Sequence, residues 1–216
     1  MGRDANATRE RLIDAAEAIF ARNGIEHANL REINRGAGQS NNSALHYHFG
    51  NREDLLQAVL NRHRIEIDRD RRELIENLSG TVPSVCDLLV PAVWPLGYRL
   101  ESESGRNYLQ IMVHLRRRSG MRSHRTMNPE SSTDLQWVYR ELDRRMIHLP
   151  QPLRTERLAV WIDMSVAAMA SRAEETRQGT PSELDNNAFL INLIDMGAAA
   201  LGAPSRLHTS QLADPH

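Results

Sequence analysis

Apolar residues recur at three- and four-residue spacing along most of this chain, the period of amphipathic helices rather than the alternation of strands. Leu12, Ala15, Ala16, Ile19 and Phe20 predict a first helix ended by Gly24, after a short polar arm over residues 1–7. A long helix is expected over about 52–78, with Leu55, Leu56, Val59, Leu60, Ile67, Leu74, Ile75 and Leu78 on its apolar side. Its middle, RHRIEIDRDRRE, is so charged that it predicts a solvent-facing stretch between two packed ends. Residues 85–94 are helical in period, yet Pro91 and Pro95 are expected to kink or end that helix. Tyr108, Leu109, Ile111, Met112 and Leu115 mark another helix, and three more are expected over 133–147, 153–177 and 182–201. No strand-period segment or repeat interrupts the pattern, so it predicts an all-α fold of about nine helices.

The most punctuated stretch is residues 29–52, NLREINRGAGQSNNSALHYHFGNR. Asn29 is placed to cap a short helix, with Glu32 reaching back to its backbone N–H. Gly36 and Gly38 end that helix, and Ser40, Asn41 and Asn42 suit the start of a second one, which Gly50 stops. Two short helices joined by a tight glycine turn form a helix-turn-helix, whose second helix enters the major groove of DNA. Within that second helix only Leu45 and Phe49, four apart, are clearly apolar, so the other positions are free to face outward. Asn41, Asn42, Ser43, Ala44 and Tyr47 are the base-edge candidates, because an amide reads adenine and an alanine meets a thymine methyl. Ser40, His46, His48 and Arg52 are the phosphate candidates, and Asn29 and Arg31 at the head of the first short helix complete the DNA-facing set. The competing reading is a polar turn between two packing helices.

Three further motifs stand in order around this turn: TRERLIDAAEAIFARNGIEHANLREI, then AGQS, then ALHYHFGNREDLLQAVL. Together they make the first 60 residues or so resemble the N-terminal domain of the TetR family of transcriptional regulators. The resemblance implies an N-terminal three-helix helix-turn-helix DNA-binding domain and a larger helical C-terminal ligand-binding and dimerisation domain. The chain departs from the family pattern between Gly38 and His48, where it is one residue longer. His46 thereby falls where the family usually has an aromatic that touches phosphate.

Length and composition narrow the rest. With 216 residues the chain holds one large or two modest domains. The boundaries expected are 1–52 for the DNA-binding domain, 53–80 for a connecting helix, 81–203 for the second domain, and 204–216 for a disordered tail. Net charge is −1, and residues 1–52 carry seven arginines against six acidic side chains, so charge alone does not argue for nucleic acid. Cys86 is the only cysteine, which rules out an intrachain disulfide and fits a reducing, cytoplasmic compartment. It lies in an apolar run, where a buried structural thiol is the default. No export signal and no apolar run of membrane-spanning length is found, and His46 and His48 point to different helix faces, so neither membrane, metal nor cofactor is expected.

In the second half, Arg106, Arg116, Arg117, Arg118, Arg122 and Arg125 follow one another with no acid between. They read either as an anion site or as a solvated basic loop. Trp94, Tyr108, Met112, His114, Met121 and Trp137 are candidates to line the effector pocket that the resemblance implies, each with plain core as its alternative. Trp161, Met164, Ala168, Phe189, Leu193 and Gly197 sit on two closing helices rich in small residues. These suit a homodimer interface or close packing within one chain. The expectation is a dimeric, cytoplasmic repressor on a palindromic operator, released by an unidentified small-molecule effector. A constitutive DNA-binding dimer without effector is the alternative. An all-α enzyme is the remote one, since no phosphate loop or nucleophile elbow is present.

Overall fold

The computed structural model describes residues 2–39, 43–118 and 132–206, and among them it contains helices and no strand. The helices are α1 (Gly2–Asn23), α2 (Leu30–Gly36), α3 (Ser43–Phe49), α4 (Arg52–Glu76), α5 (Val85–Gly97), α6 (Glu103–Arg118), α7 (Thr133–Arg145), α8 (Gln151–Gln178) and α9 (Asn186–Gly202). A 3-10 turn, Tyr98–Glu101, joins α5 to α6. The fold is all-α. The expected polar arm is absent, because α1 already begins at Gly2, with Asp4 in its first turn against the positive helix end. The disordered tail expected from sequence falls mostly on residues outside the described ones.

The described chain divides into two compact units that do not follow the linear boundaries expected from sequence. The first comprises Met1–Glu66, Tyr98–Ser119 and Met169–Thr180; the second comprises Ile67–Gly97, Gly120–Ala168 and Pro181–His216. In the first unit α1 packs on α2 and on α6, and α2 meets α3. One apolar cluster joins Leu12, Ala16 and Phe20 of α1, Ile33 of α2, Leu45 and Phe49 of α3, and Leu55, Leu56 and Val59 of α4, together with Ile111 of α6. The first turns of α4 therefore belong to the core of the helix-turn-helix rather than to a separate connector.

The charged middle of α4 is not uniformly solvated. His63 is 4% exposed and Arg71 3%, whereas Ile65 is 73% exposed. Composition misleads here because single polar residues in that run have specific partners. Arg71 lies in the second unit, where α5 packs on α7 and α9. Its Nε donates to the Pro91 carbonyl at 3.1 Å, and its Nη1 donates to Asp68 at 2.7 Å and to the Ser132 hydroxyl at 3.3 Å. That carbonyl is the one left without a helical donor by Pro95, four residues on, which has no N–H. With the orphan acceptor satisfied, α5 runs through both prolines to Gly97 instead of ending at them.

Ser84 and Asp87 start α5 as a capping box: the Asp87 N–H donates to the Ser84 hydroxyl, and the Ser84 N–H and hydroxyl donate to the Asp87 carboxylate. The hydroxyl and then the N–H of Ser84 hold the Asp87 carboxyl below the usual carboxylate range. Cys86, expected to be buried, is exposed, because its neighbours Leu88 and Leu89 take the inward face of α5.

Candidate nucleic-acid interface

Asn29 caps α2 as expected: its side-chain oxygen accepts the Arg31 N–H at 2.9 Å. Glu32 does not complete the box; it pairs instead with Arg22 of α1 at 2.6 Å. The helix ends in a turn where Gly38 takes φ +69°, a backbone conformation that favours glycine. In α3 the two apolar residues face inward, Leu45 at 1% and Phe49 at 7% exposure, while Tyr47 stands 82% exposed on the other side. His46 is exposed and its ring Nδ1 bonds the Gly50 carbonyl, closing the end of α3. The half-buried His48 ring meets the Tyr47 ring edge-on at 5.0 Å.

Ala44 is half-buried and packs against the apolar cluster, one turn of helix from His48, so it is only partly available to a base edge. Ser40, Asn41 and Asn42 lie outside the described residues, as does the side chain of Ser43. Arg31 is exposed and, with Leu30, Asn34, Leu45 and His46, lines a shallow depression between α2 and α3.

Arg52 has a different task from the phosphate contact expected of it. Its Nη1 donates to the carbonyls of Ile25 at 3.3 Å and Glu26 at 2.7 Å, and its Nη2 donates to that of Ala28 at 2.9 Å. One guanidinium thus ties the start of α4 to the α1–α2 loop. Arg52→Ala is expected to lower stability by about 1.5–3 kcal/mol, the range for hydrogen bonds from a charged group, seen as a lower denaturant midpoint. An unchanged midpoint would return Arg52 to the DNA-facing set.

Further side chains complete the head. The Arg9 guanidinium stands 5.1 Å from the centre of the Phe49 ring, linking α1 to the end of α3. Arg118, expected in an anion site or a basic loop, instead pairs with Glu26 at 2.6 Å and Glu53 at 3.0 Å. His114, a pocket candidate, sets its Nε2 3.2 Å from the Ala21 carbonyl and its ring against Gly24, so it braces the end of α1. Tyr108, another pocket candidate, is buried and stacks on His63 with ring centres 4.5 Å apart. Met112 is half-buried in the same unit, Trp94 and Trp137 are half-buried in the other, and Met121 lies outside the described residues. Neither unit by itself brings these six together.

Three interface candidates are intrachain core. Trp161, Leu193 and Gly197 are all buried, and a Cβ on Gly197 would stand 2.2 Å from the Trp161 indole nitrogen. The small residue admits a tryptophan of the same chain. The half-buried Met164, Ala168 and Phe189 have no such assignment, and exposed apolar area lies instead at Val160 (54%), Ile191 (52%) and Met196 (50%).

Two short helices, a glycine turn, an apolar anchor pair and an outward polar face define a helix-turn-helix segment. Residues 12–59 match the family described as bacterial regulatory proteins, tetR family. Over 67 residues, 30% of the chain, it is 40% identical to the HTH-type transcriptional regulator SrpR of Pseudomonas putida, covering 31% of that protein. It is equally 40% identical over 67 residues to the uncharacterized HTH-type transcriptional regulator TtgW, also of Pseudomonas putida, covering 49%. The chain thus spans only 31% and 49% of the length of these curated relatives. A crystal structure of a transcriptional regulator FadR from Bacillus subtilis in complex with stearoyl-CoA aligns with 90% of this chain and 99% of its own, at a TM-score of 0.41 and 14% identity. Among the described residues no helix is long and apolar enough to cross a membrane.

Proposed function

We propose that the chain is a cytoplasmic, sequence-specific transcriptional regulator that reads double-stranded DNA with α3. The observation that carries this is the division of α3 into two faces, with Leu45 and Phe49 locked into the core and Tyr47 held out on a fixed scaffold. Tyr47 then contacts base edges, joined by Asn41, Asn42 and Ser43, and Arg31, Ser40, His46 and His48 position the phosphate backbone. Two copies pair so that their α3 helices enter successive major grooves of a palindromic operator. The exposed apolar residues Val160 of α8 and Ile191 and Met196 of α9, with half-buried Met164, favour these helices as the pairing surface.

Tyr47→Ala is the direct test. It is expected to weaken binding to a duplex selected by the wild-type protein by roughly tenfold or more, on the 1–3 kcal/mol scale of a base contact. The side chain is so exposed that helical content and oligomeric state should not change. Wild-type affinity in this variant would displace α3 from the interface.

The finer reading is a repressor released by a small-molecule effector. What supports it is a second compact helical unit, in which α5 packs on α7 and α9, beside the one that holds α3. An effector acts by binding better to the DNA-free arrangement than to the DNA-bound one. Mass spectrometry of the purified protein under native conditions tests this: a retained small molecule whose removal tightens DNA binding supports it. Unchanged DNA affinity across such preparations favours a constitutive DNA-binding dimer.

A further inference from the structure

We propose that DNA binding by this chain takes up a proton at His46, because that side chain can hold a backbone phosphate only as the imidazolium. The inference rests on α3 being the DNA-reading helix. The His46 Nδ1 lies 2.5 Å from the Gly50 carbonyl oxygen. A carbonyl oxygen can only accept, so Nδ1 carries the hydrogen. The Gly50 N–H in turn donates to the His46 carbonyl at 3.0 Å, and Gly50 holds φ +70°, so ring and backbone together close α3. With Nδ1–H committed, the neutral ring offers solvent only the lone pair of Nε2.

A lone pair facing a phosphate oxygen sets acceptor against acceptor and repels. One proton on Nε2 turns the same contact into a charge-assisted hydrogen bond. Histidine is the side chain that ordinarily changes charge between pH 5 and pH 8. Arg31 lines the same depression as His46 and gives the phosphate a second partner whose charge is permanent. Among the described residues, Tyr47 and His48 flank this stretch of α3, and Asp54 lies on the first turn of α4. Asp54 approaches Gly50 but is engaged by the Asn51 amide at 2.7 Å. A tyrosine at this place would donate its hydroxyl at any pH in this range, so the proton coupling belongs to the histidine.

The sign follows from linkage: the complex holds more protons than the free protein, so affinity falls as pH rises. The limit is about tenfold per pH unit for each proton taken up. The experiment uses the full chain and a duplex selected by it from a random pool. Affinity is measured from about pH 6 to about pH 8 at fixed salt, a window set by histidine. Proton uptake is read separately, from the binding enthalpy in buffers of different ionisation heat. Wild type is expected to weaken with rising pH and to take up protons. His46→Arg, a permanent cation, should keep its affinity at the alkaline end with a flattened profile, and His46→Gln should flatten the profile at lower affinity. The same pH profile in wild type and both variants, or no proton uptake, overturns the proposal. So does a pH dependence confined to duplexes with one particular base at one position, since His46 would then be accepting from a base amine. If Tyr47→Ala weakens binding while the His46 variants titrate like wild type, only the proton coupling fails. If neither residue matters to affinity, the assignment of α3 itself fails.

Discussion

Gly105→Ala is expected to destabilise the protein by about 3 kcal/mol, at the upper end of the cost of overpacking a filled site. In most helices this substitution has the opposite sign, because alanine is favoured over glycine by about 1 kcal/mol. Here a Cβ would stand 2.1 Å from the Arg99 carbonyl oxygen and 2.7 Å from the carbon that bears it. Those are backbone atoms of the 3-10 turn, and no rotamer change can move them aside. The turn is itself fixed by Leu100, 1% exposed, and by the Arg106 guanidinium on the Leu100 carbonyl at 2.8 Å. Gly202→Ala is the control, since nothing lies within 4 Å of its new methyl. Denaturant midpoints should fall for the first and stay or rise slightly for the second. A Gly105→Ala protein as stable as wild type would mean that the turn yields at no cost. Because α6 packs on α1, the same variant is expected to lose DNA affinity only in proportion to the fraction unfolded.

The helix-turn-helix is legible in the sequence because its signals are local. Asn29 caps within two residues, Gly38 breaks a helix where it stands, and Leu45 and Phe49 meet across one turn. Tyr47 follows from the same four-residue period, being the large side chain left on the far side. What sequence does not show is long-range. Arg52 reaches carbonyls 24 to 27 positions away, and a free guanidinium and an engaged one have the same letter. Arg71 rescues the Pro91 carbonyl from a separate helix, so the helix, expected to kink or end at the two prolines, continues through them to Gly97. Gly197 announces a close approach without naming the partner, which is Trp161 of the same chain rather than a second copy. His114 and Tyr108 carry aromatic character that suits a pocket, and both are committed to packing against α1 and α4 instead.

The strongest such hidden pair is Glu17 on α1 with His63 on α4, and breaking it is expected to cost more than any other single polar change. The carboxylate Oε2 lies 2.8 Å from the His63 Nε2, with side chains 3% and 5% exposed. The Tyr108 ring covers the imidazole and the Ser104 hydroxyl stands 3.4 Å from the same nitrogen. Arg62 adds positive charge 3.9 Å from Glu17, although its closer partners are Asp14 at 2.6 Å and Glu10 at 2.8 Å. Burial opposes the Arg62 charge, and the hydrogen bonds to Asp14 and Glu10 outweigh that burial, so its guanidinium is held even more firmly protonated. Glu17→Leu leaves the buried His63 Nε2 with the more distant Ser104 hydroxyl, 3.4 Å away, in place of a carboxylate. The expected loss is about 3–5 kcal/mol, the range for breaking a buried pair from one side. Combining Glu17→Leu with His63→Leu removes both polar groups and should recover most of that loss, since an apolar pair of similar volume fits a buried site well. A double-mutant cycle on denaturant midpoints isolates the coupling. If the double variant loses as much as the sum of the single ones, the two residues do not act as a pair, and the link they make between α1 and α4 contributes nothing to the stability of the helix-turn-helix.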